Sequence, residues 1–336
     1  MKTITRFFFY ILLPLAIAAG VAIWAAYQWI HQPLRLPTDK VDVLIPQGTS
    51  PAGVAQMLNQ AGIEVDPRGF VWLARLSELD KKLKAGGYQI SRGDSIWDVL
   101  RRMAAGEVTQ RQVTFVEGWT LKQIRQALRQ HPDIRQTTQD LTDAQLLQKL
   151  GHQANYAEGL FFPDTYVFPI GTTDIEILQQ SLSAQQQLLD KMWQARQPGL
   201  PLKSPYEALI LASIVEKETG LHADRGKVAG VFINRLRVGM PLQTDPTVIY
   251  GMGDQYQGKI RKKDLQTDTP WNTYTRSGLP PSPIASAGRA SLEAALNPEK
   301  HNFFYFVARG DGSSAFAVNL AEHNKNVSQY ILGRKP

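Results

Sequence analysis

Two carboxylates end the segment ALILASIVEKETG (residues 208–220), and their setting is the strongest chemical signal in the chain. Glu216 and Glu218 lie two apart, so on a helix they point about 200° away from each other and cannot serve one site together. Three, four and seven residues before Glu218 stand Val215, Ile214 and Leu211; the same positions before Glu216 hold Ser213, Ala212 and Leu209. Glu218 has the bulkier apolar surroundings. Such surroundings disfavour the ionised carboxylate and raise its pKa, as a general acid working near neutral pH requires. The C-terminal end of a helix dipole, marked here by Gly220, pushes the same way. The plainer alternative is a pair of exposed helix-end charges flanking Lys217.

A polar set follows. VFINRLRVGMPLQTDPTVIYGMG (231–253) contributes Asn234, Gln243, Thr244, Asp245 and Tyr250 among Gly- and Pro-shaped turns. Asn272 and Tyr274 come next beside Trp271, and then GLPPSPI (278–284). Amides and acids hydrogen-bond sugar hydroxyls and aromatic rings stack on sugar faces, so the mixture suits a saccharide cleft. Taken singly, Asp245-Pro246 is an ordinary turn start and Trp271 an ordinary core residue. A hydrolase acting on a sugar chain needs a second carboxylate, for which Asp245 is the candidate. A reaction with an intramolecular nucleophile needs only one.

Other chemistries lack support. The chain has no cysteine, so disulfides, thiolate metal sites and cysteine nucleophiles are excluded. Its six histidines are scattered without metal-ligand spacing, and no phosphate loop, dinucleotide fingerprint or serine elbow occurs. No cofactor and no metal are expected.

The elements that must position these residues are legible. Residues 7–30 form a 24-residue run without a charge, about 36 Å long as a helix and enough to cross a bilayer core. Lys2 and Arg6 precede it, and Trp24, Tyr27 and Trp29 gather at its far end. The charge bias places residues 1–6 in the cytoplasm and residues 31–336 outside. A cleaved signal peptide is the competing reading, but its apolar region is normally shorter. Without Lys2 and Arg6 the basic excess falls from seven to five, a mild bias that does not argue for nucleic acid.

Beyond a connector at 31–40, one pattern recurs three times. Counting from Gly48, Gly93 and Gly118, a hydroxyl residue falls at +2 (Ser50, Ser95, Thr120), a β-branched residue at +6 (Val54, Val99, Ile124) and Leu or Met at +10 (Leu58, Met103, Leu128). This predicts a strand, a glycine turn, a capped helix start and a buried stripe. The first two copies suggest a small β-α-α-β module over 41–109, which resembles a LysM-type glycan-binding module; a packing unit without ligand is the alternative. The third copy opens a larger body, 110–336, with helices expected at 140–150, 173–196, 205–219, 223–238 and 291–296. Strands are expected near 302–308 and 315–319. The Gln-rich stretch 179–187 reads as the wet face of a helix. Gly251–Gly258 and Gly278–Gly288 read as loops too rich in breakers for regular structure. The fold class is α+β.

Long stretches carry a resemblance: EGLFFPDTYVFP (158–169), ASIVEKETG (212–220), KVAGVFINRLRVGMPLQTDPTVIYGMG (227–253), WNTYTRSGLPPSPIASAG (271–288) and NLAEHNKNVSQY (319–330). The chain resembles the YceG-like family of endolytic murein transglycosylases over nearly its whole length. The resemblance implies an inner-membrane protein facing the periplasm that cleaves the β-1,4 bond between N-acetylmuramic acid and N-acetylglucosamine without water. Peptidoglycan strands would be its substrate and cell-wall synthases its neighbours. The family's catalytic glutamate falls on Glu218. One departure stands out: relatives often carry a His before the strand Phe near the C-terminus, where this chain has Ser314 and Ala315 before Phe316. A different class of role, a non-catalytic anchor that binds glycan and recruits synthases, is the competing expectation.

Overall fold

The structure, a computed structural model, describes residues 12–333. The chain divides into two compact units, residues 1–111 with 167–172, and residues 112–166 with 173–336. The division is therefore not a single cut, because a six-residue segment after position 166 returns to the first unit. Three two-stranded sheets and a majority of helices make the architecture α+β, as expected.

In the first unit, helix α1 (Leu13–His31) has no buried residue, and Ile23 and Trp24 are 70% and 64% exposed. It is the one helix among the described residues long and apolar enough to cross a membrane, a test that a signal sequence also passes. Residues 7–11 of the expected span, with Lys2 and Arg6, lie outside the described residues. Strand β1 (Lys40–Ile45) is followed by α2 (Pro51–Gln60), α3 (Pro67–Leu76), β2 (Gly86–Ser91) and α4 (Ile96–Ala105). The strands pair antiparallel from Lys40 opposite Ser91 to Ile45 opposite Gly86. Val43, Ile45, Tyr88 and Ile90 supply the sheet's contribution to a core shared with Leu58, Phe70, Leu100 and Met103.

The threefold pattern has a physical basis in both units. Gly48, Gly93 and Gly118 all adopt positive φ (79°, 101° and 76°), a turn that a side chain would strain. Ser50, Ser95 and Thr120 are the N-caps of α2, α4 and α5 (Leu121–Gln130), the last two in reciprocal capping boxes. Val54, Val99 and Ile124 at +6, and Leu58, Met103 and Leu128 at +10, are all no more than 2% exposed.

The chain passes from the first unit into the second within β3 (Gln110–Thr114), which leads into α5 and α6 (Asp143–Lys149); β4 (Thr165–Pro169) spans the other boundary at 166/167, and the second unit resumes with α7 (Asp174–Gln194), α8 (Pro205–Glu218) and α9 (His222–Arg237). Next come α10 (Asp245–Met252), a short α11 (Lys262–Gln266), α12 (Arg289–Leu296), the hairpin β5 (Tyr305–Ala308) and β6 (Ser314–Ala317), and α13 (Leu320–Tyr330). The central element is α8. Ala208 through Val215 are all buried, and α7, α9, α10 and α12 pack around it. Side chains on every face meet protein, so its hydrophobicity runs all round rather than along one stripe.

Two expectations are corrected. Gly251 and Met252 end α10 and residues 253–255 form a 3₁₀ turn, so the breaker-rich stretch is partly regular. Pro246 sits in the first turn of α10, where its missing N–H costs nothing. The Gln-rich stretch is not uniformly wet either: Gln185 is 1% exposed, facing inward with Leu178, Leu182 and Leu189.

One buried carboxylate fixes the start of α7. Asp174, 1% exposed, accepts from Thr137 N (2.9 Å) and Oγ1 (2.6 Å) and from Thr138 N (2.9 Å) and Oγ1 (2.6 Å). Burial alone pushes its pKa up, but these four bonds outweigh it and the net shift is downward. Asp174→Ala is expected to lower unfolding stability by about 3 kcal/mol in urea titration, since it leaves buried donors unpaired. The folded pKa is depressed, so this contribution is held above the ordinary carboxylate range and lost as pH falls through the folded value.

Candidate active site

Helix α8 delivers its last residue, Glu218, to the wall of a cleft of about 380 Å³. The cleft is also lined by Arg235 from α9, Gln243 and Asp245 at the start of α10, Tyr274, Tyr305 from β5 and His323 from α13. The Glu218 carboxyl is set deep among protein atoms and keeps an opening to this space. Its pKa is raised, chiefly by burial and further by the charge of Asp245; a hydrogen bond from Thr244 and the charge of Arg235 act in the opposite sense. The Thr244 hydroxyl donates to Glu218 Oε1, which leaves Oε2 as the place for a proton.

Thr244 is held for that contact. Gln243 before it adopts φ +49°, a left-handed conformation uncommon for a residue with a side chain, and donates its N–H to Thr273 O at 3.1 Å. Thr244 N donates to Thr273 Oγ1 at 3.1 Å, and Thr247 Oγ1 donates back to Thr244 O at 2.7 Å. Thr244, Thr247 and Thr273 are all buried.

Asp245 is exposed in the cleft and accepts a 2.6 Å hydrogen bond from Tyr274 Oη. Arg235 is not spent as an ion pair. Its Nε donates to Phe304 O at 2.7 Å and Nη1 to Leu242 O at 2.7 Å, tying α9 to the β5 edge and to the loop before α10. Its guanidinium carbon also stands 5.3 Å from the Tyr305 ring centre. His323 stacks on the same ring at 5.2 Å between centroids with 26° between planes. Burial first and the Arg235 charge second lower the His323 pKa, which favours a neutral imidazole facing the cleft.

Glu216, on the opposite side of α8, accepts from Gly288 N at 2.9 Å. A Cβ at Gly288 would lie 1.8 Å from Glu117 Oε1, so any larger residue there would have to displace the Glu117 side chain. The choice between the two glutamates is thus a geometric one: Glu218 faces the cleft, and Glu216 ties α8 to the start of α12.

Of the polar set expected to line the site, Gln243, Thr244, Asp245 and Tyr274 gather around Glu218. Asn234, Tyr250 and Asn272 do not. Asn234 Nδ2 donates to His301 O (2.8 Å) and Phe303 O (3.0 Å), anchoring the approach to β5. Asn272, 1% exposed, donates to Leu265 O (3.0 Å) and Thr267 O (2.7 Å) and accepts from Tyr274 N (2.8 Å). That work is structural: it shapes the loop that presents Tyr274. Tyr250, at the far end of α10, lines a separate cleft of about 790 Å³ with Glu158 and Trp271. Its ring meets Trp271 edge-on at 5.4 Å. Glu158 Oε1 accepts from Leu121 N (2.9 Å) and Gly159 N (3.2 Å), and burial raises this carboxyl to about 7.

Arg235, Tyr305 and His323 were not singled out by residue type or spacing. The available signal was His323 three residues after Leu320, on one face of α13.

The YceG-like family model matches residues 43–329. The chain belongs to the YceG-like family. An endolytic murein transglycosylase of Bacillus subtilis (strain 168) is 32% identical over 88% of this chain and 86% of its own length. A Streptococcus pneumoniae protein (strain D39) of the same description is 30% identical over 96% of this chain; the match spans 64% of that longer relative. A solved YceG-like structure from Listeria monocytogenes aligns over 85% of this chain and 98% of its own, with 31% identity and a TM-score of 0.54. The matched stretch of the family model includes Glu218 and every cleft residue named above.

Two measurements probe the carboxyls. Thr244→Val removes the hydrogen bond that lowers the Glu218 pKa, so the alkaline limb of the kcat/KM profile is expected to move to higher pH. For Glu158, the folded pKa near 7 lies above its unfolded value, so its contribution is present below the ordinary carboxylate range and lost as pH rises through about 7. Relative to wild type, Glu158→Gln is expected to show a flatter fall in Tm between about pH 5 and 8.

Proposed function

We propose that this protein is a peptidoglycan lytic transglycosylase that cuts murein glycan strands internally, with Glu218 as its acid. One observation carries the reading: a buried carboxyl of raised pKa faces a cleft in which Asp245 is the other carboxylate, and Asp245 is held by Tyr274. The relatives described as endolytic murein transglycosylases support the same substrate class.

In this mechanism protonated Glu218 gives its proton from Oε2 to the glycosidic oxygen between N-acetylmuramic acid and N-acetylglucosamine. The leaving sugar departs with that proton. The Glu218 carboxylate, steadied by the Thr244 hydroxyl, then takes the proton of the muramic C6 hydroxyl as its oxygen bonds to C1. The product is a 1,6-anhydro end, and Glu218 is protonated again. The nucleophile belongs to the sugar, so its positioning is already entropically prepared. Asp245, which accepts from the Tyr274 hydroxyl, lines the same cleft as Glu218, and an oxocarbenium-like centre gains from a nearby negative charge. Gln243 and the neutral His323 offer hydrogen bonds to sugar hydroxyls, and Tyr305 a ring face.

The remaining parts of the reading follow from location. Helix α1, which has no buried residue, serves as a single-pass inner-membrane anchor with the bulk of the chain in the periplasm, and residues 41–109 act as the LysM-like glycan-holding module. That placement beside the membrane suits a role in ending the growth of nascent strands next to cell-wall synthases.

Digestion of purified glycan, followed by mass spectrometry, tests the chemistry. Anhydro ends lacking one water relative to reducing ends are expected; reducing ends would reject the lytic reaction and make Asp245 a hydrolytic partner. Glu218→Gln is expected to reduce turnover by about 10³-fold or more, on the scale of ~4 kcal/mol of lost transition-state stabilisation, while the folded state is retained. Asp245→Asn is expected to slow the reaction without changing the product. If Glu218→Gln retained cellular function, the non-catalytic anchor role would stand instead.

A further inference from the structure

The N-terminal half of α8 borders a second pocket that the catalytic reading leaves unused. It measures about 680 Å³ and is lined by Gln185, Leu182 and Leu189 of α7, Tyr206 and Leu209 of α8, and Tyr156. Gln185 is 1% exposed, yet neither its Nε2 nor its Oε1 has a hydrogen-bond partner among the described residues; the Tyr206 hydroxyl is likewise buried and unpaired. A carboxamide stripped of water with both ends unpaired is costly, and helix periodicity makes position 185 one where leucine would pack between Leu182 and Leu189. Twelve residues separate Tyr206 from Glu218 on one helix, so the pocket stands about 18 Å along α8 from the acid.

Gln185 offers one donor and one acceptor to the same ligand. A secondary amide presents the complementary acceptor and donor. Leucines on both sides would take an attached methyl group, the Tyr206 hydroxyl a sugar hydroxyl, and the Tyr156 ring a sugar face. We infer that the Gln185–Tyr206 pocket is an accessory site for the acetamido group of an N-acetylamino sugar, so that the glycan is gripped well away from the bond being cut. The assignment of this ligand rests on the proposed murein substrate, and binding can be measured without turnover.

The test uses the Glu218→Gln protein with methyl-labelled leucines and soluble β-1,4-linked N-acetylglucosamine oligomers as probe. Saturable shifts at Leu182, Leu189 and Leu209 are expected, and they should vanish with the de-N-acetylated oligomer. Adding Gln185→Leu should weaken binding read at Leu189 and Leu209 about tenfold or more, while raising Tm because an unpaired polar group has been removed. Tyr206→Phe, which keeps the ring, should weaken it less and serves as the second variant. Absence of shifts at these methyls, equal affinity with Gln185→Leu, or binding of a sugar-free N-acetyl tripeptide in preference to the oligomer would each overturn the proposal. An outcome of this kind leaves the product analysis for Glu218 unaffected, so the two readings fail separately.

Discussion

The cleft at Glu218 depends on one electrostatic constraint: a carboxyl group ends a helix whose body, Ala208 to Val215, is wholly buried. Ala208 to Val215 leave no solvent around the body of α8, and the helix terminus itself disfavours negative charge. Under these conditions the acid either keeps its proton or must be compensated. Arg235 sits close enough to matter electrostatically, yet its Nε and Nη1 are committed to the carbonyls of Phe304 and Leu242. Thr244 supplies one hydrogen bond, which favours the ionised form, but burial outweighs it and the net shift is upward. Asp245 adds repulsion. The balance holds the Glu218 pKa above the ordinary carboxylate range.

The second unit holds this balance through backbone geometry more than through ion pairs. The left-handed Gln243 and the threonine trio of positions 244, 247 and 273 form a connected set of hydrogen bonds, and Asn272 separately holds the backbone of Tyr274. Each member is either buried or adjacent to a buried member, so the geometry of the loop before α10 is set before any ligand arrives. Pre-organised polar groups of this kind need little reorganisation when the transition state forms.

Much of this organisation was legible in the sequence, for identifiable reasons. Where a helix begins with a side chain that can cap it, the expected limits are close to the observed ones: Thr173 before α7, Ser204 before α8, and the turn–cap units at Ser50, Ser95 and Thr120. Comparing the residues three, four and seven positions back distinguished Glu218 from Glu216, because burial on a helix is decided at that spacing. The misses share a different origin. Residue type alone made Asn234, Tyr250 and Asn272 sugar ligands, but amides equally satisfy backbone carbonyls, and only tertiary structure decides which. Pro246 and Gly251 hid α10, since both breakers stand at helix ends where they do no harm. Gln185 was hidden by its polar neighbours, and His323 by lying about a hundred residues from the acid it faces.

Helix α13, which brings His323 to the cleft, contributes no buried residue of its own. It is held to the β5–β6 hairpin by ring stacking of His323 on Tyr305 and by Arg309 over the Tyr330 ring, contacts much weaker than the leucine-lined interior around α8. Local opening tends to begin in elements with so little packed surface. This wall of the cleft is therefore the part expected to open first on warming, ahead of the helix that bears Glu218.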